Sequence, residues 1–407
     1  MRAATPTSAP HLRPLNRALA LRLLRDSSGL SRSALARAAG VSPTTITKLS
    51  AELIERGWVV ETPADSRARV GRPAINLALR TDTLVVCGVQ IGVGFIRIGV
   101  CNLFADVKHA EGFEFDPATA PETVIKTIGT RLGALLRTAD VDPDALLGIG
   151  VAAPGAVDAA HRKNLLAINL GWRDVDFATP LEAALGVPVT VEHNVRAMAL
   201  AEARYGAARG EDSIFYVYVR TGVGAGMIVA GEPFRSGAHG ACELGHLRVV
   251  NDGPRCTCGA TGCLETLIAE PALAPRVTAA IQQQPDGPLA SELHRGDSLL
   301  SALEAAATRG DHAAENILDD LVEQLTTGLA SVVNLLNPDL IVLGGLFADA
   351  PDATFDRVRA RLRAKAFPVL RDTVRVNRTV LGLDAGMTGA AAFALEQFFY
   401  RPPAPAY

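Results

Sequence analysis

The sequence predicts an α/β protein, with a small N-terminal α+β head of the winged helix-turn-helix kind and a larger α/β body braced by a metal-binding loop. Three observations lead there. Charge is split unevenly: residues 1–80 hold 13 Lys and Arg against 5 Asp and Glu, a surplus of eight, while the whole chain is −3. Helix start and stop signals crowd the same 80 residues. One imidazole and three thiols fall between positions 246 and 263. At 407 residues and 48% hydrophobic, the chain can bury two or three cores.

The head reads in order. An amphipathic helix runs from about Pro14 to Arg25, with Leu15, Leu19 and Leu23 at four-residue spacing, and Gly29 breaks it. Ser31 opens a second helix carrying Leu35 and Ala39, closed by Gly40. The third has the clearest start, Ser42 as N-cap and Pro43 in the first turn, and Ile46, Leu49 and Leu53 form its core face. Its other face offers Thr44, Thr45, Thr47 and Lys48. Together with Ser42, these short hydroxyls and one cation suit insertion of a helix N-terminus into a major groove. Trp58-Val59-Val60-Glu61 begins a strand. A basic turn ending Val70-Gly71-Arg72-Pro73 then leads to Ile75-Asn76-Leu77-Ala78, which makes a wing. Arg72 at its tip reads either as a minor-groove contact or as a solvated linker charge.

In the body, residues 84–100 read as a buried strand, a Gly turn and a second strand. Gly148 to Val157 reads as a strand followed by the Pro154-Gly155 turn, where backbone approaches a ligand closely. Further on, His246, Cys256, Cys258 and Cys263 form a donor set suited to tetrahedral zinc, with no open position, hence structural. Glu243 and Glu265 bracket the set. From spacing alone, this pair serves equally as acceptors for vicinal sugar hydroxyls or as solvated loop charges. Six cysteines without a disulfide framework point to a reducing compartment. Neither a signal-peptide core nor an apolar run of 18 residues is present, so a cytoplasmic protein without membrane insertion is expected.

The run Glu243-Leu244-Gly245-His246, with Cys256-Thr257-Cys258 and Gly262-Cys263-Leu264-Glu265, resembles the signature of the ROK family of sugar kinases and sugar-responsive repressors. The resemblance extends over nearly the whole chain. It implies a body of two actin-like, ribonuclease-H-like lobes, zinc on His246, Cys256, Cys258 and Cys263, and a sugar contacting Glu243, His246 and Glu265. Asn169, in Asn169-Leu170-Gly171-Trp172, resembles a second sugar loop. Thr221 to Gly226 and Leu343-Gly344-Gly345 resemble nucleotide loops. Two departures from the kinase pattern stand out. Gln90 occupies the position of a phosphate-loop Asp, and Asn194, in Glu192-His193-Asn194, that of the catalytic Asp. An amide neither holds magnesium as a carboxylate does nor accepts a proton near neutral pH, although Asn194 still hydrogen-bonds a hydroxyl.

The expected protein has a winged helix over residues 1–80, a first lobe over 81–193 with 385–407, and a second lobe over 194–384. Its expected partners are pseudo-palindromic operator DNA, a sugar or sugar phosphate, and a second copy of itself, as homodimer or dimer of dimers. The alternatives are a ROK sugar kinase with an appended DNA-binding head, and a regulator whose body senses a protein.

Overall fold

The computed structural model describes residues 9–63, 75–235 and 242–402. The head contains α1 (Ala9–Arg25), α2 (Arg32–Ala39) and α3 (Pro43–Glu55), with short strands β1 (Leu30–Ser31), β2 (Val59–Pro63) and β3 (Ile75–Leu79) in the order β1-β3-β2. The caps account for the boundaries. Ser31 accepts from the Ala34 amide, and Gly40 closes α2 at φ +64°. Ser42 accepts from the Thr45 amide with Pro43 behind it. Strands β2 and β3 pair antiparallel, Val59 opposite Leu79 and Pro63 opposite Ile75, as the arms of a wing. The tip between them, with Arg72, lies outside the described residues.

One expectation for α1 needs correction. Leu15 and Leu19 are 46% and 37% exposed, whereas Leu21 and Leu24 are buried in the head core. A four-residue repeat drifts about 40° per step around a helix of 3.6 residues per turn. Ala18, Leu21, Leu24 and Arg25, three or four residues apart, form the inward stripe instead.

The body opens with a meander, β4 (Val85–Ile91), β5 (Phe95–Cys101) and β6 (Val107–Glu114), followed by α4 (Pro121–Thr138) and β7 (Leu146–Ala153). Strands β8 (Ala156–Val157), β9 (Lys163–Ala167) and β10 (Trp172–Asp176) form a small separate sheet before α5 (Ala178–Leu185) and β11 (Val189–His193). The first large sheet has the order β11-β7-β4-β5-β6, with β7 parallel to β4 and β11 parallel to β7. Helix α6 (Asn194–Tyr205) leads to a second sheet of the same plan. Its meander is β12 (Ser213–Val219), β13 (Val223–Val229) and β14 (Glu232–Pro233). Parallel strands β15 (Leu340–Gly345) and β16 (Arg375–Arg378) complete the order β14-β13-β12-β15-β16. Helices α7 (Glu265–Ile268), α8 (Glu270–Gln283), α9 (Pro288–His294), α10 (Leu299–Thr308), α11 (His312–Leu336) and α12 (Asp352–Lys365) belong to this half. The chain then returns to the first sheet through α13 (Ala385–Leu395) and ends in a π-helical turn, Glu396–Tyr400. Among the described residues, no helix is long and apolar enough to cross a membrane.

Glycines seat α13. A Cβ on Gly88 of β4 would meet the Met387 carbonyl oxygen at 2.3 Å, and one on Gly150 of β7 would meet that of Ala390 at 1.9 Å. Backbone therefore lies on backbone, closer than any side chain permits.

Head and body share one apolar core. Leu21, Leu24, Leu53 and Leu77 of the head are continuous with Val86, Leu103, Leu200 and Phe399 of the body. The Trp58 ring lies 5.2 Å from that of Phe399, and the Tyr400 hydroxyl donates to the Leu103 carbonyl at 2.7 Å. A buried ion cluster completes the joint. Glu396 Oε1 accepts from Arg25 at 2.6 Å and from Arg204 at 3.0 Å, and the Arg25 guanidinium lies 4.7 Å above the Tyr400 ring. Burial alone would raise the Glu396 carboxyl, but Arg25 and Arg204 hold it below its ordinary value. The stabilisation from this carboxylate is thus complete above the ordinary carboxylate range and is lost as pH falls through the lower folded value. Near neutrality the joint is insensitive to pH.

Truncating Phe399 to Ala opens this shared core and is expected to cost about 3–5 kcal/mol. Urea unfolding followed by tryptophan fluorescence in a Trp172→Phe background, which leaves Trp58 as reporter, measures it, and a loss below about 1 kcal/mol is the result that excludes a continuous core.

Candidate functional site

A cleft of about 350 Å³ opens between the two large sheets. The first half contributes Gln90 at the end of β4, Phe95, the turn Pro154-Gly155-Ala156, and Ile168-Asn169 beyond β9. The second contributes Asn194, Arg220 to Gly224, Glu243, His246, Cys258 and Glu265. Gly155, Asn169, Asn194, Glu243, His246 and Glu265, drawn from five separate stretches of chain, all line this one cavity.

Local geometry fixes the acidic wall. Glu243 precedes a single 3₁₀ turn, Leu244–His246, and Glu265 begins α7. Glu265 Oε2 accepts from the Val223 amide at 3.1 Å, which aims the carboxylate at the β12–β13 turn. A Cβ on Gly222 would lie 2.6 Å from that oxygen and 3.6 Å from Asn169 Nδ2. Asn169 of one half and Glu265 of the other therefore face each other across the mouth. Gly245 presses equally hard, since its Cβ would meet the Val223 carbonyl oxygen at 2.3 Å.

Behind this wall, ligand atoms of His246, Cys256, Cys258 and Cys263 all lie within 4.8 Å of one another. Tetrahedral zinc with bonds of about 2.3 Å to sulfur and 2.0–2.1 Å to nitrogen sets S···S edges near 3.8 Å and S···N edges near 3.6 Å. The Cys258–Cys263 sulfurs are 3.8 Å apart, and Cys256 Sγ is 3.5 Å from His246 Nδ1. The donor set fits such an ion. His246 thus belongs at once to the metal cluster and to the cleft wall.

Two lining residues, Arg220 and His193, escaped the sequence reading. The Arg220 guanidinium lies 5.1 Å over the Phe95 ring, a cation–π contact that spans the cleft. His193 is pushed down to about 4 by burial and by Arg196, so its ring is neutral at physiological pH, and its Nδ1 has no partner among the described residues. Gln90 Oε1 is likewise buried without a partner. Unsatisfied buried polar atoms facing a cavity are costly unless a ligand or water meets them. No local pattern announces Arg220 or His193 as a lining residue, since what brings each to the cleft is the packing of the two sheets.

Other glycines serve packing. A Cβ on Gly155, at φ +77°, would meet the Leu166 carbonyl oxygen at 2.0 Å, so its own neighbouring strand requires the residue. In Thr221 to Gly226, which resembles a nucleotide loop in sequence, Gly224 and Gly226 press against Val195 of α6.

In the head, Ser42, Thr44, Thr47 and Lys48 are exposed and Thr45 is half-buried. The Ser42 hydroxyl caps the helix and bonds Thr45 Oγ1 at 2.8 Å, while Thr47 Oγ1 donates to the Pro43 carbonyl. Thr44 and Lys48 have no such local bond in the described structure.

Residues 86–397 match the ROK family, and residues 14–68 match the MarR family. The chain belongs to the ROK family. It is 25% identical over 391 residues to the xylose repressor of Caldicellulosiruptor bescii, covering 96% of this chain and 98% of that protein. A solved ROK family transcriptional regulator, a homolog of the E. coli MLC protein, superimposes with a TM-score of 0.81 at 27% identity, covering 96% of this chain and 97% of that one. The ROK family glucokinase from Streptomyces griseus, solved with glucose and AMPPNP, gives a TM-score of 0.66 at 28% identity. It covers 77% of this chain and 99% of its own, so the ROK kinase matches only part of this chain whereas the regulator matches nearly all of it.

Gly245→Ala should force the Glu243–His246 turn away from Val223, at a cost of about 1–3 kcal/mol from overpacking. Thermal unfolding of the variant reads this directly, and an unchanged midpoint would mean that the turn yields freely.

Proposed function

We propose that this protein is a sugar-responsive transcriptional repressor of a carbohydrate uptake or catabolism operon, released from its operator when a sugar or sugar phosphate enters the cleft. The observation that carries the reading is the cleft itself. Glu243, Glu265, Asn169, Asn194 and His246 converge on one cavity in a body fused to a winged helix. Carboxylates and amides set around a cavity hydrogen-bond vicinal hydroxyls in fixed directions, whereas a solvated loop charge has no reason to converge with four other polar groups. The regulator and the xylose repressor match both head and body, which favours this reading over a kinase with an appended head.

The division that supports it places the winged helix at residues 1–80, a first lobe at 81–193 with 385–407, and a second at 194–384. In the head, Ser42, Thr44, Thr45, Thr47 and Lys48 face the major groove, with Thr44 and Lys48 the freest to reach base edges. Arg72 enters the adjoining minor groove. A helix-turn-helix reads pseudo-palindromes as a dimer, so the protein acts as a homodimer or a dimer of dimers. Its reduced thiol cluster suits the cytoplasm.

Phosphoryl transfer is not part of this reading. Asn194 turns its carbonyl oxygen to the Val195 amide at 2.7 Å and offers no basic lone pair to a sugar hydroxyl. Gln90, buried and neutral, gives magnesium no carboxylate.

Zinc held by His246, Cys256, Cys258 and Cys263 acts as a structural clip that keeps the Glu243 turn against the Glu265 loop. Elemental analysis should return about one zinc per chain for wild type, and Cys258→Ser should lose the metal together with most sugar affinity. Metal-free wild type with full sugar affinity is the opposing result.

For release to occur, the sugar must bind the DNA-incompetent arrangement more tightly than the DNA-bound one. The decisive experiment is calorimetry with glucose, xylose, N-acetylglucosamine and their phosphates, followed by operator-release assays with whichever binds. Glu243→Ala removes a charged acceptor worth about 1.5–3 kcal/mol, or roughly ten- to a hundredfold in sugar affinity. Repression should persist while release is lost. A variant that is released like wild type would place the sugar elsewhere.

A further inference from the structure

Helices α6 and α13 both start at the cleft and both end at the head. Asn194, the first residue of α6, lines the cavity. Near the start of α13, Gly386 abuts Gln90, where a Cβ would meet the amide carbon at 2.1 Å. Eleven or twelve residues at about 1.5 Å each carry the two helices roughly 16–18 Å. At their far ends Arg204 Nε donates to Glu396 Oε1 at 3.0 Å, and the same oxygen accepts from Arg25 of the head at 2.6 Å.

The two helices are seated on different sheets. Gly88 and Gly150 press α13 onto the first sheet, as described above. On the other side, Cβ atoms on Gly224 and Gly226 of the second sheet would meet Val195 Cγ2 at 2.6 Å and the Val195 carbonyl oxygen at 2.7 Å. Helix α6 therefore moves with one half of the body and α13 with the other. They meet where a Cβ on Gly389 would lie 2.6 Å from the Ala197 carbonyl carbon, so no flexible side chain absorbs a relative displacement there. Any change in the angle between the halves appears at the far ends, across the Arg204–Glu396 bond.

That far end has spare capacity to re-pair. Among the described residues, Glu396 Oε2 and the Tyr205 hydroxyl are buried without partners, and Arg204 already reaches Glu232 at 3.5 Å. A buried cluster with unused donors and acceptors has a second arrangement close at hand, as a two-state element requires.

We propose that α6 and α13 carry the ligand state of the cleft to the DNA-binding head through the Arg204–Glu396–Arg25 cluster, with Arg204 as the positioning residue. A ligand that draws the halves together rotates α6 against α13, shifts Arg204 relative to Glu396, and so moves Arg25 and α1. The inference rests on the sugar-responsive reading above, and its test separates the two.

The experiment uses full-length wild type, Arg204→Met and Arg204→Lys, with a DNA duplex selected by wild type from a random pool. Operator affinity is measured with and without whichever sugar or sugar phosphate calorimetry shows to bind. Wild type should weaken about tenfold or more on saturation, within the usual range of allosteric coupling. Arg204→Met should respond less than about twofold while its sugar affinity stays within about threefold, and Arg204→Lys, which keeps the charge, should recover part of the response. Loss of sugar affinity in parallel would mark a merely structural role, and a full response in Arg204→Met would overturn the proposal.

A second arm needs no sugar. Hydrogen exchange at Met198, Ala199 and Leu200 in α6 should change when wild type binds the duplex and stay constant in Arg204→Met. Exchange in wild type that ignores the DNA also overturns the proposal. If no sugar binds wild type, the sugar-responsive reading fails while this arm still decides the transmission route.

Discussion

A single buried carboxylate, Glu396, joins the parts of this protein. It sits between Arg25 of the head and Arg204 of α6, 2% exposed, in an interior where an unpaired charge is not tolerated. Each arginine has a second carboxylate as well, Arg25 donating from Nε to Asp26 at 2.7 Å and Arg204 lying 3.5 Å from Glu232, so the pairs extend outward from Glu396 and hold α1 against α6. The aromatic residues Trp58, Phe399 and Tyr400 and the continuous leucine core surround the cluster and exclude water from it. The head is thus built into the body, and the orientation of its third helix follows from the seating of α13.

That seating depends in turn on missing side chains. Gly88, Gly150, Gly226 and Gly389 allow backbone to lie on backbone around α6 and α13, where the contact is stiff because little in it has rotamers, and Gly224 makes room for the Val195 side chain. The cleft is the gap that this seating leaves open. Its acidic wall is held by a different device, the clustered thiols and imidazole behind Glu243 and Glu265, which fix a long irregular loop that lacks regular secondary structure of its own. The two devices divide the labour, the glycines seating α6 and α13 on their sheets and the thiol–imidazole cluster lying behind one wall.

The same body architecture occurs in a glucokinase and in a transcriptional regulator. Within that frame, the lining of this chain's cleft is particular in two respects. Amides stand at Gln90 and Asn194, and a cation, Arg220, stacks across the cleft on Phe95.

The sequence by itself determined the head's three helices, since Ser31, Gly40, Ser42, Pro43 and Gly57 act on their immediate neighbours through caps and φ preferences. It also determined the Cys-Cys-His donor set, whose members lie within 18 residues, and the paired strands beginning at Val85 and Phe95. It misplaced the inward face of α1, because a leucine repeat reports amphipathicity while the tertiary partner chooses which stripe is covered. Only the tertiary structure decided that Asn169 and Glu265 line one cavity, that Arg220 reaches Phe95, and that Arg25 finds Glu396 across 371 residues. It alone revealed that the two large sheets share one strand plan, because a repeated topology leaves no repeated residues. Caps, turns and ligand spacing are local interactions written in neighbouring letters. Cross-cleft contacts and the glycine seating of α6 and α13 arise from packing between distant segments, and no short stretch of sequence contains them.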